Sequence, residues 1–122
     1  MASFFSFEYK KIFSLDALSD GISIYDTNCR LERKLRPQNS KMKKDIVVLS
    51  FAYSERQERI GAVLKDFTLS FWDFLDNLEF EKVISTASCC QDYQTNIWYL
   101  EYFQSWITSD KTGTIYIWNL EK

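Results

Sequence analysis

One phrase occurs three times in this chain. Ser105–Lys122 reads SWITSDKTGTIYIWNLEK: an apolar run, a polar turn ending in glycine, a second apolar run, then Trp118-Asn119. Lys65–Asp73 reads KDFTLSFWD, and Ser19–Asp26 reads SDGISIYD. Each copy closes on an aromatic residue followed by Asp or Asn. The pairs Tyr25-Asp26, Trp72-Asp73 and Trp118-Asn119 stand 47 and 46 positions apart. Near-constant self-similarity at such a period marks a repeat architecture, whose units bury their apolar faces only against one another. In the last copy, Ser105–Ser109 and Thr114–Trp118 read as two strands. Asp110-Lys111-Thr112-Gly113 joins them, because glycine tolerates a positive φ and Asp can bond nearby backbone.

The remaining segments fall around these copies. Ser3–Phe7 and Lys11–Ser14 make a first hairpin, Leu15–Asp20 a turn, and Ile22 to Tyr25 a third strand. Leu31–Leu35 alternates apolar and charged residues and reads as a half-exposed outer strand. Its charges also block edge-to-edge pairing. Arg36–Asp45 is polar and contains the only proline, Pro37, so it reads as a loop. Ile46–Tyr53 is almost continuously apolar, as expected of a strand covered on both faces. Arg59–Leu64, Thr68–Trp72 and Phe80–Ile84 complete the second repeat. Ser85–Asn96 is a second long loop, and Ile97–Tyr102 opens the third repeat with a tight hairpin to Ser105. The repeats span about 3–36, 46–85 and 97–122 of one continuous region. A competing pattern exists: Phe67, Phe71, Phe74, Leu75 and Leu78 also recur at helical spacing, with Asp73, Asp76 and Glu79 on the other side. The register shared with the other two repeats favours strand.

The turn, the strand and the closing Trp-Asp resemble the WD-repeat family, whose repeats of about 40–45 residues each fold as a four-stranded propeller blade. The chain departs from the family pattern most plainly in containing no histidine. The family's Asp–His–Ser/Thr–Trp hydrogen-bond network therefore cannot form in its usual version. The resemblance implies an all-β fold of three four-stranded antiparallel propeller-type blades, the last incomplete. It makes Trp72 and Trp118 blade-core residues and Asp66 and Asp110 the tight-turn acids, with Asp20 a poorer match. Tyr25, Asp26, Trp72, Asp73, Asp66, Asp110, Gly113 and Trp118 form the repeat signature. It further implies an interaction scaffold, at home in large assemblies such as those of cilia; cytoplasmic residence is the expectation from the cysteine usage.

Three blades form an open arc rather than a closed ring, because propellers close with about four to eight. Two apolar faces are left uncovered, and exposed patches of that kind mark interaction surfaces or aggregation hazards. The chain is expected to be a fragment of a longer propeller, to pair with copies of itself, or to complete another protein's propeller. Aromatic residues make up 17% of the 122 residues, so a sizeable core can form once the geometry closes.

Enzyme chemistry is poorly supported. Without histidine there is no Ser-His or Cys-His pair and no imidazole ligand. The three cysteines lack C-x-x-C spacing, which argues against zinc, and their odd number suits a reducing compartment. Cys89 and Cys90 are adjacent in a loop, either two small loop residues or redox-sensitive thiols. Gly21, Gly61 and Gly113 are scattered, so no phosphate-cradling loop exists. No cofactor, metal, catalytic residue, small-molecule substrate or membrane segment is expected.

Partners are expected to be other proteins, with further blades in cis or trans among them. By the resemblance, contacts use the face carrying the loops between repeats and the turns before the closing strand. That face would carry Lys41, Lys43, Lys44, Asp92, Tyr93 and Lys111, with Tyr93 the best single anchor because aromatic residues concentrate at interface centres. Arg30–Lys44 holds seven of the fifteen basic residues, opposed only by Glu32. It reads as a site for an acidic partner, such as a polyanion or a tubulin-like surface, or as a solvated loop beside a charged strand. Nucleic acid fits less well, since no aromatic residue interleaves the stretch.

Overall fold

A computed structural model describes residues 3–16, 20–37, 47–79 and 81–120. The strands are β1 (Ser3–Ser6), β2 (Lys11–Leu15), β3 (Ile22–Tyr25), β4 (Leu31–Leu35), β5 (Val48–Ser54), β6 (Arg59–Leu64), β7 (Thr68–Asp73), β8 (Glu81–Ser85), β9 (Gln94–Leu100), β10 (Ser105–Asp110) and β11 (Ile115–Trp118). They form three antiparallel sheets in the orders β1-β2-β3-β4, β5-β6-β7-β8 and β9-β10-β11, here called blades one to three. The fold is all-β and open, with none of the sheets closed into a barrel.

Successive side chains of a strand point to opposite faces, so pairing places residues in rows across each blade. One row recurs in all three blades: Phe5–Ile12–Tyr25, Tyr53–Ile60–Trp72 and Tyr99–Trp106–Trp118. The adjacent row on the opposite face recurs as well: Phe4–Phe13–Ile24, Ala52–Gly61–Phe71 and Trp98–Ile107–Ile117. Two cores follow. Phe13, Ile22 and Ile24 of blade one meet Ile60 and Trp72 of blade two. Ala52, Val63 and Phe71 on the far side of blade two meet Ile97 and Trp106 of blade three. Blade two is thus buried on both faces, which explains the apolar run of β5 and β6.

Gln57, in the turn between β5 and β6, ties the second junction. Trp106 Nε1 donates to Gln57 Oε1 at 2.8 Å, and Gln57 Nε2 donates to the Leu120 carbonyl at 3.0 Å. Burying an indole N–H without such an acceptor would cost about 1–3 kcal/mol.

The helical reading of residues 67–78 is not what forms. Phe71 and Trp72 are both buried, on opposite faces of β7, and only a strand covered on two sides achieves that. A single 3-10 turn, Phe74–Asp76, follows, capped by Asp73 and stopped at Asn77 with φ 53°. The third repeat differs at its first hairpin. β9 starts at Gln94 rather than Ile97 and ends at Leu100, so residues 101–104 form the turn. The register Tyr99↔Trp106 closes the hairpin over four residues, whereas a two-residue turn after Tyr102 would pair Glu101 with Trp106 and put a carboxylate in the packed row in place of Tyr99. The expected starts of two strands, Ile46 and Phe80, lie outside the described residues.

Candidate partner-binding site

Each b–c turn (between the second and third strands of a blade) opens on the same edge as the loops that link the blades. In blade three the turn is built on Asp110, whose Oδ1 accepts from Thr112 N at 2.9 Å, Thr112 Oγ1 at 2.6 Å and Thr114 N at 3.1 Å. These donors, Thr112 foremost, hold the Asp110 carboxyl below its ordinary value against the opposing effect of burial. Gly113 closes the turn at φ 88°, where a side chain is strained although space is open around it. Lys111 is left on the outside, with Nζ 3.9 Å from Asp92 Oδ1.

The linking loop 86–93 is pinned to blade two as well. Thr86 N and Oγ1 donate to the Phe67 carbonyl at 2.8 and 3.0 Å, and the Phe67 and Tyr93 rings meet edge to face at 6.1 Å. Asp92, Tyr93 and Lys111 therefore come together over the junction of blades two and three. Tyr93 is half-buried against Phe67 rather than fully exposed. Lys41, Lys43 and Lys44 lie outside the described residues. Within this loop Cys90 is buried, and burial and the adjacent Cys89 thiol push its pKa up to about 11.

The other signature residues shape blades. Asp26 Oδ1 accepts from Asn28 N at 2.8 Å and Arg30 N at 3.0 Å. Asp73 Oδ1 accepts from Leu75 N at 2.8 Å, and its Oδ2 from Arg59 Nε at 3.2 Å. Asn119 Oδ1 takes Ser105 Oγ at 2.7 Å. Asp66 accepts from Thr68 Oγ1. Trp72 is buried in the first core, and Tyr25 is half-buried at the corresponding place in blade one. Trp118 Nε1 donates to Thr108 Oγ1 at 2.8 Å, a Trp–Thr bond between adjacent strands of blade three.

The basic stretch is partly spent inside the fold. Arg33 donates to the Asn77 and Leu78 carbonyls at 2.7 and 3.3 Å, linking blade one to blade two. Lys34 pairs with Asp16 and Asp20 at 3.2 and 2.8 Å, and Arg36 lies 3.7 Å from Asp20. Lys11 pairs with Glu32. Asp20 is therefore a charge partner of β4 and its following segment.

Sequence reasoning missed the opposite edge. There the hairpin tips of successive blades are joined: Glu8 N donates to Glu55 Oε1 and Tyr9 Oη to Glu58 Oε1, both at 2.9 Å. Beside Gln57, a cleft of about 610 Å³ opens between Arg56, Tyr99 and Phe103. Phe7 is 80% exposed and Tyr102 is 90% exposed at this edge. Large aromatic residues within hairpin turns were the available signal.

No protein-family model matches the chain, and no curated protein does. Among solved structures, it is similar to the RRP9 WD40 repeats at 12% identity and a TM-score of 0.73, covering 97% of this chain and 34% of that one. It is also similar to the computationally designed Ika4 protein at 14% identity and a TM-score of 0.64, covering 99% of this chain and 66% of that one. The chain thus spans about a third of the RRP9 chain. At these identities the likeness concerns the fold, and the chain has a propeller-like fold of three blades in an open arc.

Proposed function

We propose that the chain is a non-catalytic protein-interaction scaffold of WD-repeat type, contacting partners through the loops between its blades. One observation carries this reading: Asp92, Tyr93 and Lys111 are held together over a blade junction by loops that are themselves pinned to the β6–β7 turn and to the end of β10. A rigid framework that presents loop side chains suits protein recognition. The two exposed thiols, Cys29 and Cys89, suit a reducing compartment such as the cytoplasm, and a large assembly such as a cilium would supply partners. The test is co-purification from cell extract with partners identified by mass spectrometry. Lys111→Glu combined with Lys43→Glu should remove a specific partner while the thermal melt is unchanged. Full retention of every partner would refute the loop-face reading.

A second reading is a self-assembling structural module that completes a propeller with another chain. The outward face of blade three favours it, since Ile115 and Ile117 are 64% and 66% exposed there.

A further inference from the structure

We propose that the uncovered face of blade three docks blade one of a second copy of this chain, head to tail, so that two chains close a ring of six blades. The inference rests on the self-assembly reading and gives it an interface.

The two junctions inside the chain follow one rule. The row Phe4–Phe13–Ile24 packs against Tyr53–Ile60–Trp72, with the Phe13 and Tyr53 rings 4.9 Å apart. The row Ala52–Gly61–Phe71 packs against Tyr99–Trp106–Trp118, with the Phe71 and Trp106 rings 5.1 Å apart. The third row of the first kind, Trp98–Ile107–Ile117, has no blade over it among the described residues: Trp98 is 48% and Ile117 66% exposed, against 0% for Phe13 and 2% for Phe71. The matching row of the second kind, Phe5–Ile12–Tyr25, faces away from blade two, and Phe5 is 42% exposed. Apolar side chains occupy all six positions, although no other blade among the described residues covers them.

Sizes at the two rows are compatible. At the second junction Gly61 lies opposite Trp106, so the smallest residue of one row meets the largest of the other. The new junction sets Ile107 against Ile12, two middle-sized residues, with Trp98 towards Phe5 and Ile117 towards Tyr25. Neither row contains a charge that would need a partner on docking. The contact is heterologous, one surface meeting a different one, so it closes only if its rotation completes a ring. Three blades per chain give six, within the range in which propellers close.

The test is the solution mass of the purified full chain by light scattering, with circular dichroism on the same peak. The expected mass is two chains of 14.5 kDa each. Ile117→Asp and Phe5→Asp each alter an exposed position and should each halve the mass while keeping the β spectrum. Mixing the two variants should restore the two-chain mass, because one intact junction remains between them. A pair that survives Phe5→Asp alone sinks the head-to-tail arrangement and leaves self-assembly standing. A single-chain mass for the unmodified protein sinks both, and an open-ended series of masses overturns the closed ring. Lys111→Glu should leave the mass unchanged, which separates this surface from the loop face.

Discussion

Trp106 fills the space that a side chain on Gly61 would need. A Cβ at Gly61 would stand 2.9 Å from Trp106 Cζ3 and 2.8 Å from Phe71 Cε1, and both rings are almost wholly buried. Neither ring can swing into solvent, so Gly61→Ala forces the junction of blades two and three apart. Overpacking of this kind costs about 1–3 kcal/mol. The thermal midpoint should fall by several degrees, at roughly 4 °C per kcal/mol. Trp106→Phe removes the clashing edge, so the double variant should melt higher than the sum of the single losses requires. Strict additivity would mean that the two sites do not share that space.

Much of the repeat plan was legible because its marks are local. An aromatic-acid pair and an Asp-to-Gly turn each fit within a few consecutive residues, so Tyr25, Trp72 and Trp118 were visible at once. The rest of each row was not. Ile12, Ile60 and Trp106 become equivalent only through strand register, which depends on pairings between distant segments. The hairpin tip at residues 101–104 was misplaced for a related reason. Tyr102 and Phe103 look like strand residues, and only the pairing of Tyr99 rather than Glu101 with Trp106 pushes them into the turn. The internal use of Arg33 and Lys34 was equally invisible, because their partners Asn77, Asp16 and Asp20 belong to other segments.

The Asp110 turn makes a prediction about pH. Bonds from Thr112 and Thr114 favour the carboxylate, so the folded value lies below the ordinary 3.8. A depressed folded pKa contributes stability that is complete above the unfolded value and lost as pH falls through the folded one. Urea midpoints should therefore be level from about pH 7 to pH 5 and fall below about pH 4. Asp110→Asn keeps the Oδ1 acceptor and removes the charge. It should lower the midpoint at neutral pH and shrink the acid-dependent fall. An unchanged fall would place the acid sensitivity in other carboxylates.

The three thiols should separate by reactivity. Cys29 and Cys89 are exposed, whereas Cys90 is buried with its pKa pushed up to about 11. The thiolate is the nucleophile, so a raised pKa and a covered sulfur both slow attack. A chromogenic disulfide reagent at neutral pH should titrate two thiols quickly in the native protein and the third only in denaturant. Peptide mapping should identify the slow one as Cys90. Fast labelling of all three would mean that loop 86–93 opens readily from the junction with blade three.

Gln94 offers a direct test of kinship with the WD-repeat pattern. It is buried, stands opposite Asp110 in the pairing of β9 with β10, and its Oε1 has no hydrogen-bond partner. Thr108 and Trp118 already share a bond on the same blade. The missing member of an Asp–His–Thr–Trp chain is an imidazole between Asp110 and Thr108. Gln94→His should supply it, donating towards the Asp110 carboxylate and accepting from Thr108. It should also remove the unpaired oxygen of Gln94. Making one net bond and relieving one buried unpaired acceptor should add about 1–2 kcal/mol. The urea midpoint should rise at about pH 8 and lose part of that gain when the imidazole takes a second proton, since Thr108 then faces a donor. The same substitution in an Asp110→Asn background should gain less. A lower midpoint in the single variant would show that blade three does not accept the family's network, and the WD-repeat reading would lose its strongest local support.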